Sequence, residues 1–191
     1  PANLRITRLP APEVTRCPEF VSAGDLRTWL QCPFRYYCWR ILGLKPTEEA
    51  EAVLTANEWG TLVHLIMYRF CLSDGSGEEP YWYAATEQNE RQAKAELRLR
   101  SLAQNVFTEH FAQRHADAQE RISSFMQRIP ELASAECSRR EWGFRPLYLE
   151  HQFRYRPDSR YNLVLTAVAD RVDVDGSGRF YILDYKTGAP I

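Results

Sequence analysis

Apolar residues recur at helical spacing over the first part of the chain and alternate with polar ones over the last. Ser22 is placed to cap a helix, with Asp25 three residues on as its capping-box partner. Leu26, Trp29 and Leu30 follow as an apolar stripe. Pro33 either kinks that helix or opens a new one. The next helix is expected to bury Phe34, Tyr37 and Ile41 and to end near Gly43, leaving Arg35 and Arg40 on other faces. Asn57 to Leu72 reads as a further helix with Trp59, Val63, Ile66 and Phe70 on its buried stripe. Gly60 and His64 lie one turn apart on the neighbouring face. A loop is expected over Ser73–Glu79, then helix formers from about Thr86 to Arg140. Their stripes are Leu97, Leu102, Val106, Phe107 and Phe111, then Ile122, Phe125, Met126, Ile129 and Leu132, with Pro130 expected to end or kink a helix. His110 and His115 read as solvated helix residues.

Alternation begins at Leu147–Tyr155 and returns in V-L-T-A-V-A-D-R-V-D-V, from Val164. After D-G-S-G comes R-F-Y-I-L-D-Y-K-T-G, so two β-rich runs flank a glycine turn and predict a hairpin. Side-chain alternation puts Asp184 and Lys186 on one face and Tyr185 on the other. A two-residue turn would set Asp170 against Leu183 and separate the two acids. A three-residue loop, Gly176-Ser177-Gly178 with Gly178 left-handed, pairs Asp170 with Asp184 and is the register expected here.

Composition narrows the setting without identifying a function. The chain has 191 residues, 45% hydrophobic and 13% aromatic, enough for one domain with a real core. Formal net charge is −1, so nucleic-acid binding would rest on a local patch. The densest basic cluster is Arg154, Arg156 and Arg160, which is either a phosphate track or a solvated hairpin tip. No run approaches membrane-spanning length and the first residues carry no signal-peptide core, so an intracellular, cytoplasmic protein is expected. Five cysteines without a C-x-x-C pair argue against a disulfide framework. Residues 1–21, rich in proline, read as a linker. Neither a Walker-type loop nor a serine or cysteine triad is evident.

The chemistry converges on the hairpin. Two carboxylates brought together by strand pairing repel unless a cation lies between them, and hard oxygen ligands suit Mg²⁺. A lysine two residues from Asp184 stands beside whatever anion such a cation recruits, which points to phosphodiester hydrolysis. A-D-R-V-D followed by I-L-D-Y-K-T-G resembles two motifs of the PD-(D/E)XK nucleases. The similarity is to their RecB-like branch, which includes the nuclease domains of the AddA and AddB helicase–nuclease subunits. L-Q-C-P-F-R-Y-Y with I-L-G-L behind it, and W-G-T-L-V-H, extend the resemblance from about Ser22 to the end of the chain.

The resemblance implies an α/β fold with a restriction-endonuclease-like core: a small mixed sheet flanked by helices, carrying a helical insertion. It divides the domain at 22–191 into a helical part, 22–145, and a catalytic sheet, 146–191, truncated at its C-terminal end. It implies His64, Asp170, Asp184 and the Tyr185 carbonyl as ligands of Mg²⁺ or Mn²⁺, with Lys186, Asp170, Asp184 and Glu150 as the catalytic set. A histidine in isolation would read as a satisfied core residue; the motif favours the ligand. Glu150 is open to three roles: orienting Lys186, joining the metal's outer shell, or simply occupying a surface strand. Arg35, Arg40, Arg154 and Arg156 are the candidate DNA contacts. Cys32 matches an iron–sulfur ligand of some AddB-like nucleases, but its partners would lie only in a longer parent chain, and a buried core cysteine is the preferred reading. The implied activity is a metal-dependent DNA nuclease, an exonuclease, partnered by a helicase in recombinational repair. The alternative is a silent nuclease-fold module serving as DNA clamp or docking domain.

Overall fold

The computed structural model describes residues 18–44, 54–72, 83, 87–111, 118–157 and 163–187. Residues 1–17 of the expected linker, the 73–79 loop, His115, Arg160 and the side chain of Phe111 lie outside them. The described residues form a mixed α/β structure: strands β1 (Phe20–Ser22), β2 (Arg145–Tyr155), β3 (Val164–Val174) and β4 (Phe180–Leu183), and helices α1 (Ala23–Gln31), α2 (Pro33–Tyr36), α3 (Ala56–Cys71), α4 (Gln88–Phe111) and α5 (Ala118–Glu141). Strand order is β1-β3-β2, with β4 also on β3. Pairing of β1 with β3 is parallel and of β4 with β3 antiparallel, so the sheet is mixed. The residues divide between two compact units, one within Pro1–Thr47 and Gln152–Ala167, the other within Glu48–His151 and Val168–Ile191.

In the first unit the expected capping box forms. The Asp25 amide donates to Ser22 Oγ at 3.1 Å, and the Ser22 amide donates to Asp25 Oδ2 at 2.9 Å. Pro33 opens α2 at its first position, where its missing N–H costs nothing. A π-helical turn, Tyr37–Ile41, continues α2, and Gly43 follows at φ 68°. Two expectations fail here. Phe20 and Val21, placed in the linker, form strand β1, drawn in by pairing that includes the Val164 amide donating to Glu19 O at 2.8 Å. The stripes of α1 and α2 are not buried: Trp29, Leu30 and Phe34 are all more than half exposed. Periodicity marks an apolar face but not the element that covers it.

The core belongs to the second unit, where α3, α4 and α5 pack together. Thr55 and Glu58 make a reciprocal capping box that starts α3. Its buried stripe contains Trp59, Val63, Ile66 and Phe70 as expected, joined by Leu62 and Met67. Trp59 stacks on Phe107 of α4 at 5.3 Å between centroids, and both rings meet Phe125 of α5 edge-on. The stripe of α4 runs through Ala95, Leu99, Ala103, Val106 and Phe107, whereas Leu97 is two-thirds exposed. Small alanines let the helices approach closely, and a search for large apolar residues overlooks them. Pro130 neither ends nor interrupts α5, which runs on to Glu141. A mid-helix proline costs about 3 kcal/mol; Ile129 and Ala133, fully buried on either side, offset it. Leu149 of β2 and Tyr185 beyond β4 pack onto this core. The helices read as an insertion therefore supply much of the core that holds the sheet's site residues.

Candidate metal and catalytic site

The hairpin sets the geometry. Arg171 pairs with Leu183, Val172 with Ile182, Asp173 with Tyr181 and Val174 with Phe180. The loop is the three-residue one: the Asp175 amide donates to Arg179 O at 3.1 Å, and Gly178 has φ 81°. A side chain at that φ would cost roughly 1 kcal/mol or more, so the glycine is a condition of the register. Asp175 tightens the turn by accepting from the amides of Arg179 and Ser177, both at 2.9 Å. The Arg179 amide and the Ser177 hydroxyl hold its carboxyl below the usual carboxylate range. One further step of the register puts Asp170 opposite Asp184.

β4 ends at Leu183, and the two acids part company there. Asp170, little exposed, accepts from the Tyr185 amide at 2.7 Å. Asp184 turns to Lys186, with Oδ2 2.6 Å from Nζ, and both side chains are mostly exposed. Asp184 and Lys186 thus meet on one side of the backbone, as strand alternation requires.

His64 completes the arrangement from α3. Its Nε2 lies 2.9 Å from the Tyr185 carbonyl. A carbonyl only accepts, so Nε2 carries a proton and Nδ1 points the other way. Nδ1 stands 3.6 Å from Asp170 Oδ1 and 3.7 Å from Glu150 Oε1. One ligand atom from each of His64, Glu150 and Asp170 falls within 4.8 Å of the others. Gly60, one turn earlier, faces Thr187; a Cβ there would meet Thr187 Oγ1 at 3.5 Å, an ordinary contact.

Glu150 reaches this group through an irregularity in β2. Its φ is 45°, and among the described residues no other non-glycine has a positive φ. The Tyr148 and His151 rings stack 4.5 Å apart, although regular alternation would send them to opposite faces. The strand is locally kinked at the residue that carries the carboxylate, as bulges do where they re-aim a side chain.

Two expected ligands behave differently in the structure. The Tyr185 carbonyl accepts from His64 Nε2, a hydrogen bond of the kind that fixes tautomer and ring direction. The Asp184 carboxylate, held by Lys186, stands outside the His64–Glu150–Asp170 group. The other nominated residues belong to the first unit. Arg40 donates from Nη2 to Phe20 O at 3.0 Å and pairs with Asp25, tying β1 to the start of α1. Arg35 stacks on Trp39. Arg154 lies over Phe20 and donates to Gln152 Oε1, while Arg156 is exposed. Cys32 is half-buried rather than core, and its Sγ caps α2 by accepting from the Arg35 amide at 3.5 Å.

Behind the site lies a buried charge network that sequence reasoning missed. Arg171, fully buried, donates Nε and Nη2 to Asp173 at 2.5 and 2.8 Å. Its Nη1 donates to Glu136 Oε2 of α5 at 2.6 Å and to Cys71 Sγ of α3 at 3.1 Å. Arg139 holds the other Glu136 oxygen at 3.2 Å. Burial alone would lower the Arg171 pKa, but the Glu136 carboxylate and the hydrogen-bonded Asp173 outweigh it and hold the guanidinium charged. Burial pushes the Cys71 thiol up to about 12, which makes it inert. The signal was the alternation R-V-D: with valines on one strand face, Arg171 and Asp173 share the other. A family model described as PD-(D/E)XK nuclease superfamily matches residues 21–190. No curated protein matches the chain.

Proposed function

Since the chain belongs to the PD-(D/E)XK nuclease superfamily, we propose that it hydrolyses DNA phosphodiester bonds with a divalent cation held by His64, Glu150 and Asp170. The observation that carries this reading is the convergence of those three ligand atoms within 4.8 Å. Two carboxylate oxygens and an imidazole nitrogen suit Mg²⁺ or Mn²⁺, and a cation relieves the repulsion of the paired acids. A cation so placed lowers the pKa of water and polarises a phosphoryl oxygen.

The protein's own groups do the rest. The Tyr185 carbonyl keeps the His64 proton on Nε2 and leaves Nδ1 free to ligate. The Tyr185 amide holds Asp170 in place. Lys186 stabilises negative charge growing on the phosphoryl oxygens, and Asp184 steers its ammonium group. Motif resemblance at L-Q-C-P-F-R-Y-Y and W-G-T-L-V-H supports placing the chain in the RecB-like branch, as an exonuclease partnered by a helicase in a cytoplasmic repair complex. The clamp reading draws on one observation: Asp184 is paired with Lys186 and stands outside the ligand group.

Incubation of the protein with linear DNA and Mg²⁺ or Mn²⁺ decides between them. Metal-dependent cleavage that disappears in Asp170→Asn is the expected result. DNA binding without cleavage in either metal would leave the clamp.

A further inference from the structure

The side-chain alternation of β4 outlasts the strand. Beyond Leu183, Asp184 and Lys186 are exposed, while Tyr185 and Thr187 stay half-buried. The ladder to β3 does not outlast it. Hydrogen-bonded pairs alternate along an antiparallel ladder, so Ala169 and Tyr185 are next in line after Arg171 and Leu183. The Tyr185 amide turns aside from that pairing and donates to the Asp170 carboxylate at 2.7 Å. Its carbonyl accepts from His64 of α3 at 2.9 Å. Among the described residues, no other hydrogen bond holds the backbone of residues 184–187. One residue therefore bridges two of the three ligand residues, on a stretch of chain that the sheet does not hold.

Its side chain supplies the hold. The Tyr185 ring packs on the core of α3, α4 and α5, and meets the His64 ring edge-on, with centroids 5.9 Å apart at 76°. Its hydroxyl is buried beside the Arg171 network without a well-formed hydrogen bond. A hydroxyl so placed regains little of its lost hydration, so the contacts of the ring are what fasten the residue. Few rotatable bonds separate a tyrosine ring from its backbone, and seating the ring also seats the amide and the carbonyl. We propose that Tyr185 is a positioning residue for the cation site: its ring, seated in the core beside α3, holds the backbone that spaces His64 from Asp170. This rests on the nuclease reading and adds to it the group that sets the ligand spacing.

The test compares Tyr185→Leu, Tyr185→Phe and Leu99→Ala on the whole chain, with Mn²⁺ alone as the calorimetric probe. Losing a group that orients metal ligands costs about ten- to a hundredfold in affinity, and Tyr185→Leu is expected to show a loss of that size. Tyr185→Phe keeps the ring and should bind Mn²⁺ within about twofold of the wild type, with an unfolding midpoint no lower. Leu99→Ala opens a cavity in α4, which carries no site residue, so it should lose stability and keep its Mn²⁺ affinity. In the metal-free chain the His64 Nε2 proton should give a slowly exchanging NMR signal, absent only in Tyr185→Leu. If that variant does not fold, the wild type still decides. Its Tyr185 amide, outside the ladder, should exchange with solvent as slowly as the Leu183 amide. Exchange as fast as that of the Asp184 amide would overturn the proposal. Unchanged Mn²⁺ affinity in Tyr185→Leu would also overturn it. So would an equal loss in Tyr185→Phe, which would move the role to the hydroxyl, or in Leu99→Ala, which would reduce it to stability. In each of these cases metal-dependent DNA cleavage by the wild type would leave the nuclease reading standing. A wild type that binds no Mn²⁺ would overturn both.

Discussion

Replacing Arg171 by methionine is expected to be the most damaging single change near the site that touches no metal ligand. The substitution keeps most of the side-chain volume, so it tests charge rather than packing. It strands two carboxylates: Asp173 and Glu136 have side-chain exposures of 0% and 1%. Asp173 would lose both bonds from Arg171. Glu136 would keep only Arg139, which is itself about a third exposed and partly hydrated. Breaking one partner out of a buried ion pair costs about 3–5 kcal/mol, because the remaining charge cannot regain water. Against the roughly 5–15 kcal/mol stability of an ordinary domain, that is a large fraction. With a urea slope of about 2 kcal/mol per molar, the midpoint should fall by roughly 1.5–2.5 M. Far-UV circular dichroism is the suitable probe, since the network ties α3 and α5 to the sheet. Glu136→Gln, which keeps an acceptor, should cost less, about 1.5–3 kcal/mol. A triple variant with methionine at 171 and leucine at 136 and 173 should recover much of the loss, because apolar groups of similar volume often replace a buried ionic cluster without penalty. An Arg171→Met protein within about 1 kcal/mol of the wild type would refute the reasoning.

Three further outcomes follow from the site. Lys186→Ala should lower the cleavage rate by roughly a hundredfold to a thousandfold while DNA binding changes little; survival within about tenfold, measured in single-turnover assays, removes the lysine's role. Glu150→Gly relieves the positive φ but removes a carboxylate, so stability should stay within about 1 kcal/mol while Mn²⁺ affinity by calorimetry falls at least tenfold; unchanged affinity takes Glu150 out of the ligand set. Asp175 has a folded pKa below its ordinary value of 3.8, so its contribution is fully present above that pH and fades as the pH falls through the lower folded value. Asp175→Asn should therefore lose stability at neutral pH and show a smaller further loss below about pH 4 in acid titrations; an acid profile parallel to the wild type's contradicts the sign.

Local chemistry made much of this protein legible from its residues. The Ser22–Asp25 capping box, Pro33 at a helix start, the α3 stripe and the three-residue loop ending at Gly178 all depend on interactions within a few positions. Such short-range rules act before any distant part of the chain is placed. They carried the register that sets Asp170 opposite Asp184, while the mixed α/β class came from the family resemblance. Tertiary structure decided what those rules could not reach. Whether Leu30 or Leu97 is covered depends on a distant partner, and both are exposed. Glu150 meets His64 and Asp170 from a positive φ in β2, and no residue preference announces a positive φ at a glutamate. Asp184 pairs with Lys186, its sequence neighbour on the same face, whereas the Tyr185 carbonyl meets an imidazole that arrives from α3 only when the chain folds. The Arg171 network is the clearest case, since its charge is tolerable in the interior only because Glu136, from another element, arrives at 2.6 Å. Sequence separation hides such partners, and the folded core brings them together.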